Sequence, residues 1–250
     1  MKTRVVKNAD DRRTELLDVA LHLFLIKGYE RVAVQDITDA VQVAKGTFYH
    51  YFASKADLLA QVCERQVGML LGAAERLLDE TPGDAVARFR AVIAVTWGWK
   101  RDNLEMAETY SRVLYADENQ ALRLRLRGSL AMFQPLQAGI IAQGKAEGSF
   151  TVADPAWAAR TIMWLWDGLA EWMMPRLLSD AEPAALVAEL LAASRASELA
   201  SERILGAREG SLQLFDYDEL GEWLLELVVA LREPAARSHR SGTIATRERT

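Results

Sequence analysis

The chain is predicted to be all-α. Half of its 250 residues are hydrophobic, and only six are proline. Ala and Leu are abundant, whereas no segment shows the alternation of apolar and polar residues that indicates a β-strand. A chain of this length and apolar content can form one large core or two small ones.

The first helix is predicted from about Asp10 to Ile26. Its apolar residues form a single stripe: Leu16, Leu17, Ala20, Leu23 and Phe24. Gly28 follows this stripe and is expected to end the helix as its C′ residue. His22 falls on the polar side, where solvent rather than a ligand is the expected environment.

Two short helices separated by a tight turn are predicted next. In the first of them, apolar residues at i, i+3 and i+7 mark one face: Val34, Ile37 and Val41. Val43 follows the break and is expected to fill the gap between the helices. In the second helix, residues at i, i+4 and i+8 are expected to share an inward face: Ala44, Phe48 and Phe52.

The remaining side chains of this second helix can bind nucleic acid. An ammonium, a hydroxyl, a phenol and an imidazole offer hydrogen bonds to base edges and phosphates, and they belong to Lys45, Thr47, Tyr49 and His50. Gly46 lets a backbone or a thymine methyl approach closely. Such a pair of helices suits insertion into the DNA major groove. Beyond it, Ser54 and Asp57 resemble a capping box, and Lys55 lies at a helix N-terminus that suits a phosphate.

The sequence ALHLFLIKGYERVAVQDITDAVQVAKGTFYHYFASKADLL resembles the DNA-binding domain of the TetR family of transcriptional regulators. The resemblance covers roughly residues 10–60, and the run from Lys45 to Lys55 is its most specific part. It implies that the second helix of the pair reads the major groove. The implied base contacts come from Gln35, Lys45, Gly46 and Tyr49. The implied phosphate contacts come from Thr47, Tyr51 and Lys55, and His50 can make either kind.

Three residues depart from the family pattern. Gln42 stands at the turn, where the family usually has Gly, and a positive φ there costs Gln roughly 1 kcal/mol. Ala44 stands where the family often has Ser at the N-cap of the recognition helix. Ala33 stands where the family often has Thr, and each missing cap costs about 1 kcal/mol. We therefore expect fewer phosphate contacts on these two flanks.

The chain divides into four predicted segments: a mobile basic arm at 1–9, a helix-turn-helix DNA-binding domain at 10–54, a helical regulatory and dimerisation domain at 55–233, and a disordered tail at 234–250. Seven helices are predicted beyond the DNA-binding domain: 54–78, 84–101, 103–115, 117–147, 154–178, 182–205 and 216–231. Pro135 should kink the fourth of these one turn before the proline.

The helix predicted at 154–178 is apolar nearly all round, so it should be buried on several sides. Its charged residues fall on one narrow stripe with Trp164: Arg160, Asp167 and Glu171. The family resemblance implies a homodimer in which this helix, with 182–205 or 216–231, forms a four-helix bundle. Trp223, Leu224, Leu227 and Leu231 would supply the apolar stripe of the last helix. A two-fold dimer places two recognition helices about 34–36 Å apart, which matches successive turns of a palindromic operator.

The resemblance also implies a pocket for a small-molecule effector. The candidate residues suit a large apolar or aromatic ligand, and they are Trp97, Met106, Tyr110, Leu114, Met132, Phe133, Trp164 and Asp167. Each of them is also compatible with an ordinary place in the core. The kink at Pro135 points to the same region, because a broken helix often borders a cavity.

Charge places DNA contact at the N-terminal end. Residues 1–55 hold nine Lys and Arg against seven Asp and Glu, whereas the remainder holds 21 against 28. The single cysteine, Cys63, excludes an internal disulfide, fits a reducing cytoplasm and is expected to be a small buried apolar residue. The N-terminus has no signal-peptide core, and no run approaches 18 apolar residues, so a cytoplasmic protein without a membrane span is expected.

Enzyme chemistry has no motif in this sequence. A Gly-rich phosphate loop, zinc-ligand spacing and a nucleophile elbow are all lacking, so no cofactor or metal is expected. The expected function is that of a homodimeric repressor that binds double-stranded DNA at a palindromic operator and is released by a small apolar or aromatic ligand. Two alternatives are a helical adaptor that dimerises without DNA affinity and an enzyme in the helical body.

Overall fold

The computed structural model of the chain describes residues 8–80, 82–103 and 120–232. In these residues every regular element is a helix, which confirms the all-α prediction. The elements are α1 (Ala9–Lys27), α2 (Val34–Val41), α3 (Lys45–Tyr51), α4 (Lys55–Glu80), α5 (Ala85–Asp102), α6 (Gln120–Leu130), a 3₁₀ turn (Ala131–Phe133), α7 (Gln134–Glu147), α8 (Pro155–Leu177), α9 (Pro183–Leu205) and α10 (Tyr217–Arg232).

The first three helices pack around one core, which the start of α4 closes. Its largest fully buried side chains come from all four helices: Leu16, Phe24, Ile37, Phe48, Phe52 and Leu58. The Asn8 side chain caps α1 by accepting a 2.8 Å hydrogen bond from the Asp11 N–H. Gly28 ends α1 with a φ of 77°, as predicted, because glycine adopts this conformation without a Cβ clash.

The remaining helices form a larger body. α4 packs against α1, α5 and α6. α7 packs against α5 and α8, and α9 packs against α8 and α10. A separate apolar cluster joins α8, α9 and α10 through Met174, Leu177, Leu186, Leu190, Leu220, Leu224, Leu227 and Val228. The head therefore meets the body chiefly through α4.

Pro135 breaks the helix predicted at 117–147. α6 ends at Leu130, a 3₁₀ turn follows, and α7 begins at Gln134 with the proline in its first turn. Proline is tolerated there because the first N–H groups of a helix have no partner in the helix. The predicted interruption one turn before the proline corresponds to this 3₁₀ turn.

Gly144 has a packing role that the sequence did not predict. A Cβ at this position would lie 2.2 Å from Cδ2 of the buried Phe150, so only glycine admits the phenyl ring. α7 continues past Gly144 to Glu147 and ends at Gly148, with a φ of 80°. The close approach of Phe150 locks the loop after α7 onto the body.

Three predicted segments fall wholly or mostly outside the described residues: the basic arm at 1–9, nearly all of the helix at 103–115, and the tail at 234–250. Among the residues that are described, no helix combines the length and the apolar character that a membrane span requires.

Candidate nucleic-acid interface and ligand cavity

The recognition helix α3 is anchored by two buried rings. Phe48 and Phe52 are almost completely buried, and their ring centroids lie 5.4 Å apart. Val43 is partly buried against the same core, as predicted. Ala44 was predicted on this inward face, and that prediction is wrong. Ala44 is the N-cap of α3 and has extended backbone angles, so the 3.6-residue repeat of the helix does not apply to it. Its side chain is exposed.

The opposite side of α3 faces solvent. Lys45, Gly46, Tyr49 and His50 are exposed, while Thr47 and Tyr51 are half-buried. Tyr49 is 52% exposed, although its ring rests edge-on against Phe48 with centroids 5.2 Å apart. A Cβ at Gly46 would meet no atom within 4 Å, so the space beside it is open. The predicted side chains thus lie together on one accessible face.

The turn before α3 has the strained geometry expected for a non-glycine residue. Gln42 adopts φ 57° and ψ 48°, which is the left-handed helical region. Its N–H donates to the Asp39 carbonyl at 3.1 Å, and the Val43 N–H donates to the Thr38 carbonyl at 2.9 Å. These two bonds end α2 and set the direction of α3, so the strain at Gln42 is held by the surrounding hydrogen bonds.

Both helices of the pair begin at an alanine that gives no side-chain cap. Neither Ala33 nor Ala44 has an oxygen to accept a hydrogen bond. Asp36 partly compensates at α2, since its carboxylate accepts a 2.7 Å hydrogen bond from the Ala33 N–H. Gln35, a predicted base contact, is exposed on the same helix and donates to Asp39 Oδ1 at 2.6 Å.

Lys55 binds the loop between α1 and α2. Its Nζ donates to the carbonyl oxygens of Tyr29 at 3.0 Å and Glu30 at 3.4 Å, and it lies 4.2 Å from the centroid of the Tyr29 ring. The predicted phosphate contact therefore has to share this ammonium with a structural role. Replacing Lys55 would loosen the head as well as remove a positive charge.

The start of α4 is tied to the body through Arg125 of α6. The Asp57 N–H donates to Ser54 Oγ at 3.0 Å, and Asp57 Oδ2 accepts from the Ala53 N–H at 2.9 Å, which matches the predicted capping box closely. Arg125 donates to Asp57 Oδ1 at 2.5 Å and to both carboxylate oxygens of Glu64. One guanidinium thus joins the first three turns of α4 to α6.

The charges of this junction reinforce one another. Burial alone would raise the pKa of Asp57, but hydrogen bonds from Arg125, Gln61 and the Ala53 N–H outweigh it and lower that pKa. The hydrogen bond to Glu64, with that to Asp57, raises the pKa of Arg125. The junction is therefore charged on both sides throughout the physiological range.

A cavity of about 240 Å³ lies in the body, away from the head. Its lining comes from α5, α8, α9, α10 and the segment before α10: Ile93, Thr96, Trp97, Lys100, Trp166, Leu169, Ala170, Met173, Met174, Leu177, Ser194, Phe215, Leu220, Trp223, Leu224, Leu227 and Leu231. Most of these groups are apolar, as in a typical small-molecule site.

Few of the predicted pocket residues line this cavity. Trp97 does, whereas Met132 and Trp164 are exposed and Phe133 is buried in the core. Asp167 lies outside the lining and forms an ion pair with Arg127, in which Oδ2 lies 3.4 Å from Nε. The other three candidates fall outside the described residues: Met106, Tyr110 and Leu114. The cavity is also not lined by the kink at Pro135.

The lining residues that the sequence did not predict come chiefly from α8 and α10. Trp223, Leu224, Leu227 and Leu231 were assigned to dimer packing, but in the structure they face the cavity of their own chain. Their apolar spacing was visible in the sequence. What was not visible was the path of the chain that brings α10 over α5 and α8.

Two buried carboxylates of α9 set that path. Glu202 accepts hydrogen bonds from the N–H groups of Gly210 and Leu212, each at 2.9 Å. Glu198 accepts from the Leu214 N–H at 2.9 Å and from the Tyr217 hydroxyl at 2.5 Å. From the other side, Arg90 of α5 donates to the Leu212 carbonyl at 2.9 Å. The non-helical segment 210–216 is thereby fixed between α9 and α5.

Cys63 is fully buried in α4, as predicted. Burial, with a smaller contribution from the Glu64 charge, raises the pKa of its thiol well above the usual range. A buried neutral thiol is a poor nucleophile, so Cys63 is a packing residue of α4.

The fold and the exposed face of α3 define a helix-turn-helix DNA-binding protein. Residues 16–62 match the family model for bacterial regulatory proteins of the tetR family. The transcriptional repressor KstR2 of Rhodococcus jostii is 28% identical over 145 residues, which cover 56% of this chain and 68% of that protein. KstR2 of Mycobacterium tuberculosis is 27% identical over 154 residues, covering 59% and 73%.

Solved structures have the same fold. FadR of Bacillus subtilis, in complex with stearoyl-CoA, aligns with a TM-score of 0.55 and 20% identity over 87% of this chain and 98% of its own. RolR in complex with resorcinol aligns with a TM-score of 0.53 and 17% identity over 86% and 93%. The family model and the sequence relatives together indicate the TetR family and support a DNA-binding transcriptional regulator. Regulators of this family are non-enzymatic DNA-binding proteins.

Proposed function

We propose that the protein is a homodimeric repressor that binds a palindromic operator and is released from it by a small apolar or aromatic ligand. The observation that carries this proposal is the exposed face of α3. There Lys45, Tyr49 and His50 reach solvent from a helix that is fixed by the buried rings of Phe48 and Phe52. Rigid support is what base reading requires, because hydrogen bonds to base edges depend on position.

The proposed DNA contacts of the head divide by role. Gln35, Lys45, Gly46 and Tyr49 meet bases in the major groove, and His50 meets a base or a phosphate. The phosphate contacts come from Thr47, Tyr51 and Lys55. Phosphate contacts fix the register on DNA, and base contacts supply the specificity. The absence of hydroxyls at Ala33 and Ala44 leaves fewer phosphate contacts than such a head could make.

The homodimer places two such heads on successive turns of DNA. Support comes from the surface of α8, where Trp157 and Trp164 are 55% and 54% exposed and their ring centroids lie 6.1 Å apart. Large apolar side chains on one exposed helix face indicate a protein interface. α9, which packs against α8, has exposed small residues that permit close helix packing: Ala184, Ala185, Ala188, Ala192 and Ala196. The bundle is thus proposed to use α8 and α9.

The effector is proposed to bind in the 240 Å³ cavity between α5, α8 and α10. α5 packs directly on α4, and Arg125 ties the first turns of α4 to α6. A ligand that spreads the cavity walls would therefore shift α4 and change the spacing of the two heads. Release requires that the ligand bind this DNA-incompetent spacing more tightly than the competent one.

A gel-shift experiment with the DNA upstream of the chain's own coding region tests the proposal. A sequence-specific, salt-sensitive shift by the full chain is expected, with two protomers per operator. If the protein dimerises but shifts no DNA, the helical adaptor is the correct function and the repressor is not.

A further inference from the structure

The ligand cavity has one charged side chain among its described lining residues. This is Lys100, in the last turn of α5, whose side chain lines the cavity and is also exposed to solvent. Its ammonium donates no hydrogen bond within the described part of the chain. The carboxylate that acts on it electrostatically, Asp167, is already ion-paired with Arg127 at 3.4 Å. The cavity therefore presents a cation whose hydrogen-bonding capacity is available to a ligand.

The two hydroxyl groups of the cavity lining already donate hydrogen bonds to backbone carbonyls. Thr96 donates to the Ile93 carbonyl at 2.9 Å, and Ser194 donates to the Leu190 carbonyl at 2.9 Å. Each hydroxyl can still accept a hydrogen bond but does not point a proton at a ligand. Two donors of the described lining can therefore meet a negatively charged oxygen: the Lys100 ammonium and the buried Trp223 Nε1–H, which has no hydrogen-bond partner among the described residues.

The rest of the lining suits a ring. Trp97 packs edge-on against Trp223 and Phe215, with centroids 4.5 and 5.5 Å away, and Phe215 lies 5.5 Å from Trp166. The volume of about 240 Å³ exceeds the roughly 150 Å³ of an engineered apolar cavity that holds benzene. A ligand body of about two fused rings therefore fits, with its faces and edges against aromatic side chains.

The charge of Lys100 discriminates between ligand classes. Aromatic rings of this kind can bind an organic cation, but the ammonium in the same cavity would repel it. A neutral ring would fill the space and leave the ammonium without a partner. A carboxylate would accept a charge-assisted hydrogen bond from it.

We propose that the effector site takes a carboxylic acid with a compact apolar ring system, whose carboxylate binds Lys100 Nζ and whose rings lie among Trp97, Phe215 and Trp223. This assignment rests on the proposed function, because it treats the cavity as the effector site. It adds the charge of the ligand, which an apolar pocket alone does not specify.

Isothermal titration of the full chain with 2-naphthoate and with neutral 2-naphthamide tests the proposal. The acid should bind at least about tenfold more tightly than the amide, as expected for a hydrogen bond to a charged group. Lys100→Met should abolish this preference while keeping most of the stem of the side chain, and Lys100→Arg should retain it. Lys145→Met, at an exposed lysine of α7 outside the cavity, is the matched control and should leave it unchanged.

Three results would overturn the assignment: equal affinity for acid and amide in the natural chain, an acid preference that survives Lys100→Met, or no binding of either compound up to its solubility limit. Circular dichroism melts show that each variant is folded. Gel shifts run in parallel separate the two proposals, since loss of DNA binding by the natural chain contradicts the repressor while the titration reports only on the cavity.

Discussion

Replacing Gln42 by Gly should stabilise the turn between α2 and α3. Gln42 has a φ of 57° and its side chain is exposed, so the substitution removes strain without removing a contact. A non-glycine residue in this conformation costs about 1–2 kcal/mol. The greater freedom of glycine in the unfolded chain offsets about 0.4–1 kcal/mol of this. The net gain is about 0.5–1 kcal/mol, or roughly 1–4 °C in Tm for a chain of this size.

Urea unfolding followed by circular dichroism measures this effect, at one fixed protein concentration because subunit association makes stability depend on concentration. Gln42→Ala is the matched control, since it removes the side chain but keeps the Cβ that causes the strain. It should leave the unfolding midpoint almost unchanged. The reasoning is refuted if Gln42→Gly is neutral or destabilising, or if Gln42→Ala stabilises as much.

Three further substitutions test a base contact, a buried carboxylate of α9 and the proposed dimer interface. Tyr49→Ala should relax sequence specificity by about 1–3 kcal/mol at one base pair, as measured by competition with single-base operator variants. Glu202→Gln should lower the free energy of unfolding by about 2 kcal/mol, because a buried carboxylate that accepts two backbone N–H bonds becomes an amide that can accept fewer. Trp164→Glu should convert a dimer into a monomer at micromolar concentration in sedimentation experiments, because it puts a charge in the proposed apolar interface.

The substitutions at Glu202 and Trp164 each have a control in the same chain. Glu209→Gln changes an exposed carboxylate of the adjoining turn and should not alter unfolding. Met69→Glu places a charge on an exposed apolar residue of α4 and should leave the oligomeric state unchanged. Specificity that survives Tyr49→Ala, or a dimer that survives Trp164→Glu, would remove that residue from its proposed role.

The sequence predicted the head well because its determinants are local. Gly28, the turn at Gln42 and the capping box at Ser54 act within a few residues of themselves, and the structure has each where expected. The one error in that region, Ala44, arose because the helical repeat was extended one residue too far. At a helix end the cap residue leaves the repeat, so spacing alone assigns it to the wrong face.

The body was predicted less completely because its determinants are distant in sequence. The hydrogen bonds from Arg90 to the Leu212 carbonyl and from the Leu212 N–H to Glu202 join three segments whose spacing shows no periodicity. Without them, the apolar stripe of α10 looked like a dimer surface rather than a cavity wall. Polar residues that fix the path of a non-helical segment produce no hydrophobic periodicity from which that path could be predicted.

Selection of DNA by the full chain from a random duplex pool tests base reading by α3. We expect enrichment of a palindrome whose half-sites are centred about 10 base pairs apart. A variant that carries both Lys45→Ala and Tyr49→Ala should lose that enrichment. A pool that stays random after repeated rounds, or a palindrome still selected by that double variant, would contradict base reading by α3.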